Sequence, residues 1–329
     1  MNPHRIIISR TDSIGDVILT LPICAWLKEK FPNTKITFLG KNYTRDVVDC
    51  FESVDEFISL EELSELPIVE RSERIKADVF IHVFPNKELA TLAKKAKIPM
   101  RIGTSHRVFH LLTCNYRLNF TRRKSDLHES QLNFELLKPI GLITIPSISE
   151  INKYINCFKT PLVDLPLALE SLDLEKTVIL HPKSQGSAQE WPLQKYFELA
   201  EELVAIGKTV LFTGTEKEGA LFRNEIPEDT NIIDLTGKLT LQQLIKLCAL
   251  SEGLVACSTG PYHLSAVFGR KAIGLFSSKK PIHPGRWAAI GNNSKAIVFN
   301  EDCTKCKKGS PCICIENIKV NSVFKFFEC

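Results

Sequence analysis

The chain has 329 residues, of which 44% are hydrophobic and 24% charged, enough apolar material for two domains with cores of their own. Its formal net charge of +4 is too mild to imply nucleic acid, and no stretch of eighteen apolar residues offers a membrane-spanning helix. Eleven cysteines with no visible secretory segment, since Met1 to Arg10 holds only the short apolar run Ile6-Ile7-Ile8, point to a reducing, cytoplasmic setting.

The first expected strand, Ile6 to Ser9, runs through Asp12-Ser13-Ile14-Gly15-Asp16 into an apolar helix over 17–30. Strand, small-residue turn and helix in that order build a ligand site at the carboxyl edge of a parallel sheet. Asp16 falls at this turn, where a carboxylate either caps free backbone N–H groups or faces the site as a base. Further strands are expected at Ile36 to Leu39, Asp78 to Val83 and Arg101 to Gly103, with helices near 43–50, 87–97 and 130–140. Such alternation implies a mostly parallel sheet covered on both faces. Two basic clusters stand out. In the first, Lys94, Lys95, Lys97 and Arg101, the lysines read as a solvated face; in the second, Arg117, Arg122, Arg123 and Lys124 lie in an irregular, aromatic-containing segment where plain solvation and binding of an acidic substrate or an anionic lipid surface are equal alternatives.

Pro146, Pro161 and Pro166 interrupt the rhythm, which divides the chain into an N-terminal domain over 1–150, a linker over 151–172 and a C-terminal domain over 173–329. Alternation restarts with strands at Thr177 to Leu180, Thr209 to Thr213, Asn231 to Asp234, Gly253 to Cys257 and Ala272 to Phe276. Helices are expected between them near 193–206, 216–224 and 240–250 and from Thr259 to Phe268. The predicted class is α/β, with two doubly wound Rossmann-like domains facing a cleft between their strand ends.

Three turns of the second half carry ligand-type residues. Strand Gly253 to Cys257 ends in Ser258-Thr259-Gly260-Pro261, where Ser258 or Thr259 suits an N-cap, Gly260 permits close backbone approach and Pro261 suits the first helical turn. Free N–H groups and the positive helix end there favour a phosphate or diphosphate, with a well-capped helix as the plain alternative. His263, within that helix, reads as a packed residue that orients ligand indirectly. The turn after Leu180 supplies one cation, Lys183, and hydroxyls including Ser184, on the way to Gln189-Glu190-Trp191-Pro192. The turn Thr213 to Glu218 offers carboxylates to a nucleoside or to the helix dipole.

Together these residues resemble the ADP-heptose:lipopolysaccharide heptosyltransferases of glycosyltransferase family 9. The resemblance rests on RTDSIGDVILTLP at 10–22, RIG at 101–103, HPKSQGSAQEWP at 181–192, TGTEKE at 213–218, LTGKLTLQQL at 235–244 and STGPYHLSAVFG at 258–269. It implies the GT-B fold, acceptor chiefly on the N-terminal domain, nucleotide sugar chiefly on the C-terminal one, and inverting transfer without a metal ion or other required cofactor. It also implies ADP-heptose as donor and a lipopolysaccharide-core or related glycan as acceptor; with no inserted segment evident, the basic residues would make any contact with the cytoplasmic face of an anionic inner membrane peripheral and electrostatic. Asp16 matches the base that deprotonates the acceptor hydroxyl, with Asp12 in reserve. Asp12, Ser13, Arg101, Arg122 and Arg123 form the acceptor set. Lys183, Ser184, Gln189, Glu218, Ser258, Thr259, Gly260 and His263 form the donor set. Two positions depart from the family pattern: Gln189 stands where many relatives carry Lys or Arg, and Ser258 where many carry Asp. A nucleotide-sugar-binding GT-B protein with another donor, or without catalysis, is the alternative these departures raise.

Near the C-terminus, Cys303, Cys306, Cys312 and Cys314 form a C-x2-C-x5-C-x-C array. Four thiolates at short spacing can build a tetrahedral, purely structural zinc site, although the spacing is tighter than in ordinary zinc ribbons and a merely cysteine-rich loop is the alternative.

Overall fold

Short apolar runs buried on both faces form the inner strands of parallel sheets, and Ile6, Ile7 and Ile8 are fully buried in this way. A computed structural model describes residues 2–122, 125–186 and 188–328 and divides the chain into two units, residues 1–159 and 160–329. Arg123, one of the expected acceptor residues, lies outside the described residues.

The first unit holds strands β1 (Arg5–Ser9), β2 (Lys35–Gly40), β3 (Glu56–Ser59), β4 (Val79–His82), β5 (Met100–Thr104) and β6 (Tyr116–Leu118). All pair in parallel, in the order β3-β2-β1-β4-β5-β6. The second unit holds β7 (Thr177–His181), β8 (Thr209–Phe212), β9 (Ile232–Asp234), β10 (Gly253–Cys257), β11 (Lys271–Phe276) and β12 (Ser294–Val298), again all parallel, in the order β12-β11-β10-β7-β8-β9. Each unit therefore winds in both directions from its first strand. The strand order reverses between β1 and β4 and between β7 and β10, and at such points ligands bind beyond the carboxyl ends.

Several elements differ from expectation. The helix expected over 17–30 is two helices, Ile14–Ile18 and Pro22–Lys30, because Pro22 has no N–H to continue the first and suits the opening of a second. The helix expected over 216–224 is one turn, Glu216–Gly219, followed by a 3-10 turn at Arg223–Glu225. The segment read as irregular contains helix Val108–Thr113 and strand β6. Of the stretch read as linker, residues up to 159 belong to the first unit, where Ile151 and Ile155 are buried and Phe158 stacks edge-on against Phe51 at 4.8 Å. Among the described residues no helix is long and apolar enough to cross a membrane.

Candidate active site

In the first unit the chain leaves β1 at Ser9, and Arg10 turns its guanidinium inward at the carboxyl edge, where only 2% of the residue is exposed. A buried guanidinium must be matched by carboxylates and filled with hydrogen bonds. Arg10 Nε donates to Asp12 Oδ1 at 2.6 Å, Nη1 to Glu129 Oε1 at 2.9 Å, and Nη2 to Asp16 Oδ1. Arg122 Nε donates to the same Glu129 oxygen at 2.7 Å, and its Nη2 to Asn133 Oδ1 at 2.9 Å. Asn133 Nδ2 in turn donates to Leu19 O and Thr20 Oγ1, both at 3.1 Å, which ties helix Glu129–Glu135 to the junction between helices Ile14–Ile18 and Pro22–Lys30.

Asp16 stands in the first turn of helix Ile14–Ile18 but caps none of its N–H groups. Its carboxylate accepts instead from Arg10 Nη2 and from Ser13 Oγ. With its side chain 15% exposed it keeps a path to solvent, whereas Glu129 has none. Burial is the largest influence on Asp12 and raises its pKa from 3.8 to about 6; Arg10 opposes the shift and the negative charge of Asp16 adds to it. Tyr43 OH donates to Asp12 O at 2.7 Å and closes the turn from the side.

Thus Asp12, Ser13, Asp16 and Arg122 meet in one network. Arg101 makes no polar contact with it: on β5 its guanidinium donates to Thr113 O at 2.7 Å and to Ile98 O. Sequence reasoning gave no role to Arg10, Glu129 or Asn133. The signal for Arg10 was present, an arginine at the end of an apolar strand with acids two and six residues on.

In the second unit, Lys183 is paired with Glu190. Glu190 Oε1 also accepts from Ser184 N at 2.8 Å and Ser184 Oγ at 2.9 Å, so one unassigned carboxylate organises the loop after β7. The adjoining Trp191 is buried and donates through Nε1 to Ile318 O at 3.0 Å. Gln189 is half-buried beside Glu190. Glu218 forms a capping box: Oε2 accepts from Thr215 N at 2.7 Å and Thr215 Oγ1 at 2.9 Å, while Glu218 N donates to Thr215 Oγ1 at 3.3 Å. Both the dipole role and a place at the strand edge thus fall to the same side chain. Its neighbour His181, which pairs through Nδ1 with Thr213 Oγ1 at 3.0 Å, is lowered by burial to about 4, with Glu218 opposing, and so stays neutral at pH 7.

After β10, Thr259 occupies the N-cap of helix Gly260–Val267 without a side-chain capping bond. Its Oγ1 is buried with no hydrogen-bond partner among the described residues. Ser258 and Gly260 flank it half-buried, Pro261 lies in the first turn, and His263 is buried one turn further on. The helix start therefore presents unfilled N–H groups and an unfilled hydroxyl at the strand reversal of its sheet, an arrangement suited to an anion.

The four cysteines of the tail also come together, their Sγ atoms all within 4.8 Å of one another.

Two doubly wound parallel sheets with polar turns at their carboxyl edges define an α/β protein with the GT-B fold. Solved structures share that fold: the family 9 glycosyl transferase of Veillonella parvula aligns with a TM-score of 0.76 at 19% identity, covering 99% of this chain and 96% of that one. ADP-heptose LPS heptosyltransferase II of Escherichia coli aligns at 0.74 and 18% identity, covering 98% and 97%. The chain belongs to glycosyltransferase family 9 (heptosyltransferase), whose pattern matches residues 74–314. Among relatives in sequence, a Haemophilus influenzae protein whose name commits only to a glycosyltransferase is 27% identical over 90% of this chain and 89% of its own length. Lipooligosaccharide heptosyltransferase 2 of the same organism is 24% identical over 82% of each.

Proposed function

We propose that this family 9 glycosyltransferase moves a heptose from ADP-heptose to a hydroxyl of a lipopolysaccharide-core or related glycan, with inversion and without a catalytic metal. The observation that carries the reading is the fixed carboxylate of Asp16, held by Arg10 and Ser13 in the first helical turn after β1. As the acceptor oxygen bonds to the anomeric carbon, its proton passes to Asp16. The bond from that carbon to the diphosphate breaks, and ADP leaves with the electron pair. A sugar hydroxyl becomes strongly acidic only as the new bond forms, so a carboxylate positioned at that oxygen is a sufficient base. Arg10 and Ser13 hold the Asp16 carboxylate in place. Arg122, anchored by Glu129 and Asn133, suits an acidic group on the acceptor.

Charge developing on the diphosphate falls to the N–H groups at Gly260, to Thr259 Oγ1 and to Lys183. Lys183 serves only when phosphate displaces Glu190 from it. That pairing, with Gln189 and Ser258 at the two departing positions, favours a second reading in which the nucleotide sugar is not ADP-heptose or is bound without turnover.

The two readings separate by experiment. ADP and ADP-heptose are expected to raise the apparent stability above all other nucleotides in a thermal-shift panel, because a ligand selective for the native state stabilises it. Asp16→Asn is expected to keep that shift while cutting transfer about 100- to 10,000-fold. Unchanged turnover in that variant removes Asp16 from its role, and a preference for uridine or guanosine donors transfers the argument to the second reading.

The proposal includes a place of work. Helix Val108–Thr113 exposes Val108, Leu111 and Leu112 beside the exposed Lys94, Lys95, Arg107 and Arg117, a combination suited to the anionic cytoplasmic face of a membrane.

A further inference from the structure

The segment between β12 and the last helix, Val320–Phe324, has little to hold it. Over residues 299–319 the regular helix is the single turn Thr304–Lys307, and Phe299 and Ile313 are 51% and 59% exposed. Yet Cys306 and Cys314 are buried, and all four Sγ atoms of Cys303, Cys306, Cys312 and Cys314 gather within 4.8 Å. Cys303 and Cys312 approach to 3.4 Å and Cys312 and Cys314 to 3.1 Å. These separations exceed a disulfide, which needs about 2.05 Å. Both fall short of the sulfur–sulfur edge of about 3.8 Å in a tetrahedron built on zinc–sulfur bonds of about 2.3 Å, and the 4.8 Å limit on the whole set lies beyond it, so the cluster has the size of such a tetrahedron.

The backbone is shaped for the same end. Lys307 N donates to Cys303 O at 3.0 Å and Gly309 N to Cys306 O at 2.9 Å, with Gly309 at φ +73° turning the chain back toward Cys312. A knuckle of this kind presents two sulfurs from one side, and Cys312 and Cys314 supply the other two.

We infer that these four thiolates hold one tetrahedral zinc ion that staples the segment to the second unit. An all-sulfur tetrahedral set suits zinc, and a site closed by four protein ligands leaves no position for substrate, so the ion is structural. Its position gives it a second consequence. Directly beyond Cys314, Ile315 and Ile318 enter the core of the second unit, Ile318 O accepts from Trp191 Nε1 at 3.0 Å and Lys195 Nζ at 2.8 Å, and Glu316 O accepts from Lys195 Nζ at 2.6 Å. Trp191 adjoins Glu190, which organises Lys183 and Ser184. The zinc thereby supports the loop after β7 from behind.

The test uses the full-length protein purified from zinc-supplemented cells without chelator. Metal analysis is expected to find one zinc per chain, released when a mercurial blocks the thiols. Cobalt exchanged into the site is expected to give the intense thiolate charge-transfer and visible bands of a four-sulfur tetrahedron. Cys303→Ser, at a half-exposed ligand, is expected to lose most of the metal and to become sensitive to protease between residues 299 and 314, whereas Cys157→Ser, away from the cluster, keeps both properties of the parent. Metal-free protein with four freely titrating thiols, or a disulfide among these residues in the native protein, overturns the site. One equivalent of iron in place of zinc overturns the choice of metal.

Discussion

At the scale of single residues, the feature on which the proposed chemistry rests is one buried cation shared by three acids. Arg10 meets Asp12, Asp16 and Glu129, and Glu129 is shared again with Arg122. Counted together, three carboxylates face two guanidiniums, so one negative charge is left over, and it is felt at Asp12, which burial already raises to about 6. Protonation of Asp12 below that pH weakens its hold on Arg10, the guanidinium that also positions Asp16. Transfer is therefore expected to fall on the acid side of about pH 6, and Asp12→Asn to shift that limb to lower pH while lowering the plateau at pH 8. An acid limb unmoved by the substitution would show that another group sets it. Stability has its own sign. The folded chain holds the Asp12 proton up to about 6 while the unfolded chain has released it near 3.8, so native stability declines as pH rises across that window. Asp12→Asn is expected to abolish that decline in urea titrations.

Among the elements, inner strands and the turns that follow them were legible because fully buried strands must be written in apolar residues. Of the edge strands, β9 was legible and β3, β6 and β12 escaped, for the complementary reason. β3 carries Glu56, which pairs with Arg5 and Lys35, β6 exposes Tyr116 and Arg117, and β12 is partly exposed along its length. One exposed side suffices to erase an apolar run. Glu190 escaped too, since its partners Lys183 and Ser184 lie across a loop whose closure no periodicity records. The helix after β10 illustrates a constraint visible only in three dimensions. Gly274 on β11 lies under Tyr262, and a Cβ there would stand 2.6 Å from Tyr262 Cζ and 2.7 Å from Phe276 Cε2. Gly274→Ala is expected to destabilise the chain by about 1–3 kcal/mol in urea denaturation, as overpacking does. The same displacement moves the helix start at Gly260, so ADP is expected to bind more weakly. Parental stability in this variant would mean that Tyr262 yields without moving its helix.

For the whole molecule, the two units repeat one winding without a sequence repeat, which is why alternation of apolar runs and helices revealed the class while spacing revealed no internal homology. What lies outside both sheets is the surface of helix Val108–Thr113. Val108, Leu111 and Leu112 are 77%, 52% and 71% exposed, and Lys94 Nζ donates to Leu112 O at 2.9 Å, which draws the neighbouring helix Lys87–Lys95 and its basic end alongside. Apolar side chains here can enter the headgroup boundary while Lys94, Lys95, Arg107 and Arg117 meet anionic lipid, each basic residue adding about 1 kcal/mol. Neither contribution is large alone, so binding should need both. Sedimentation with vesicles containing phosphatidylglycerol is expected to carry the protein down at low salt and to release most of it at about 1 M salt, where the Debye length falls to about 3 Å. Val108→Glu combined with Leu112→Glu is expected to abolish sedimentation while leaving the nucleotide response unchanged, because both are exposed side chains of a first-unit helix and make no hydrogen bond in the Arg10 network. Indifference of the parent protein to these vesicles would remove the membrane from the proposal without altering the reading of Asp16.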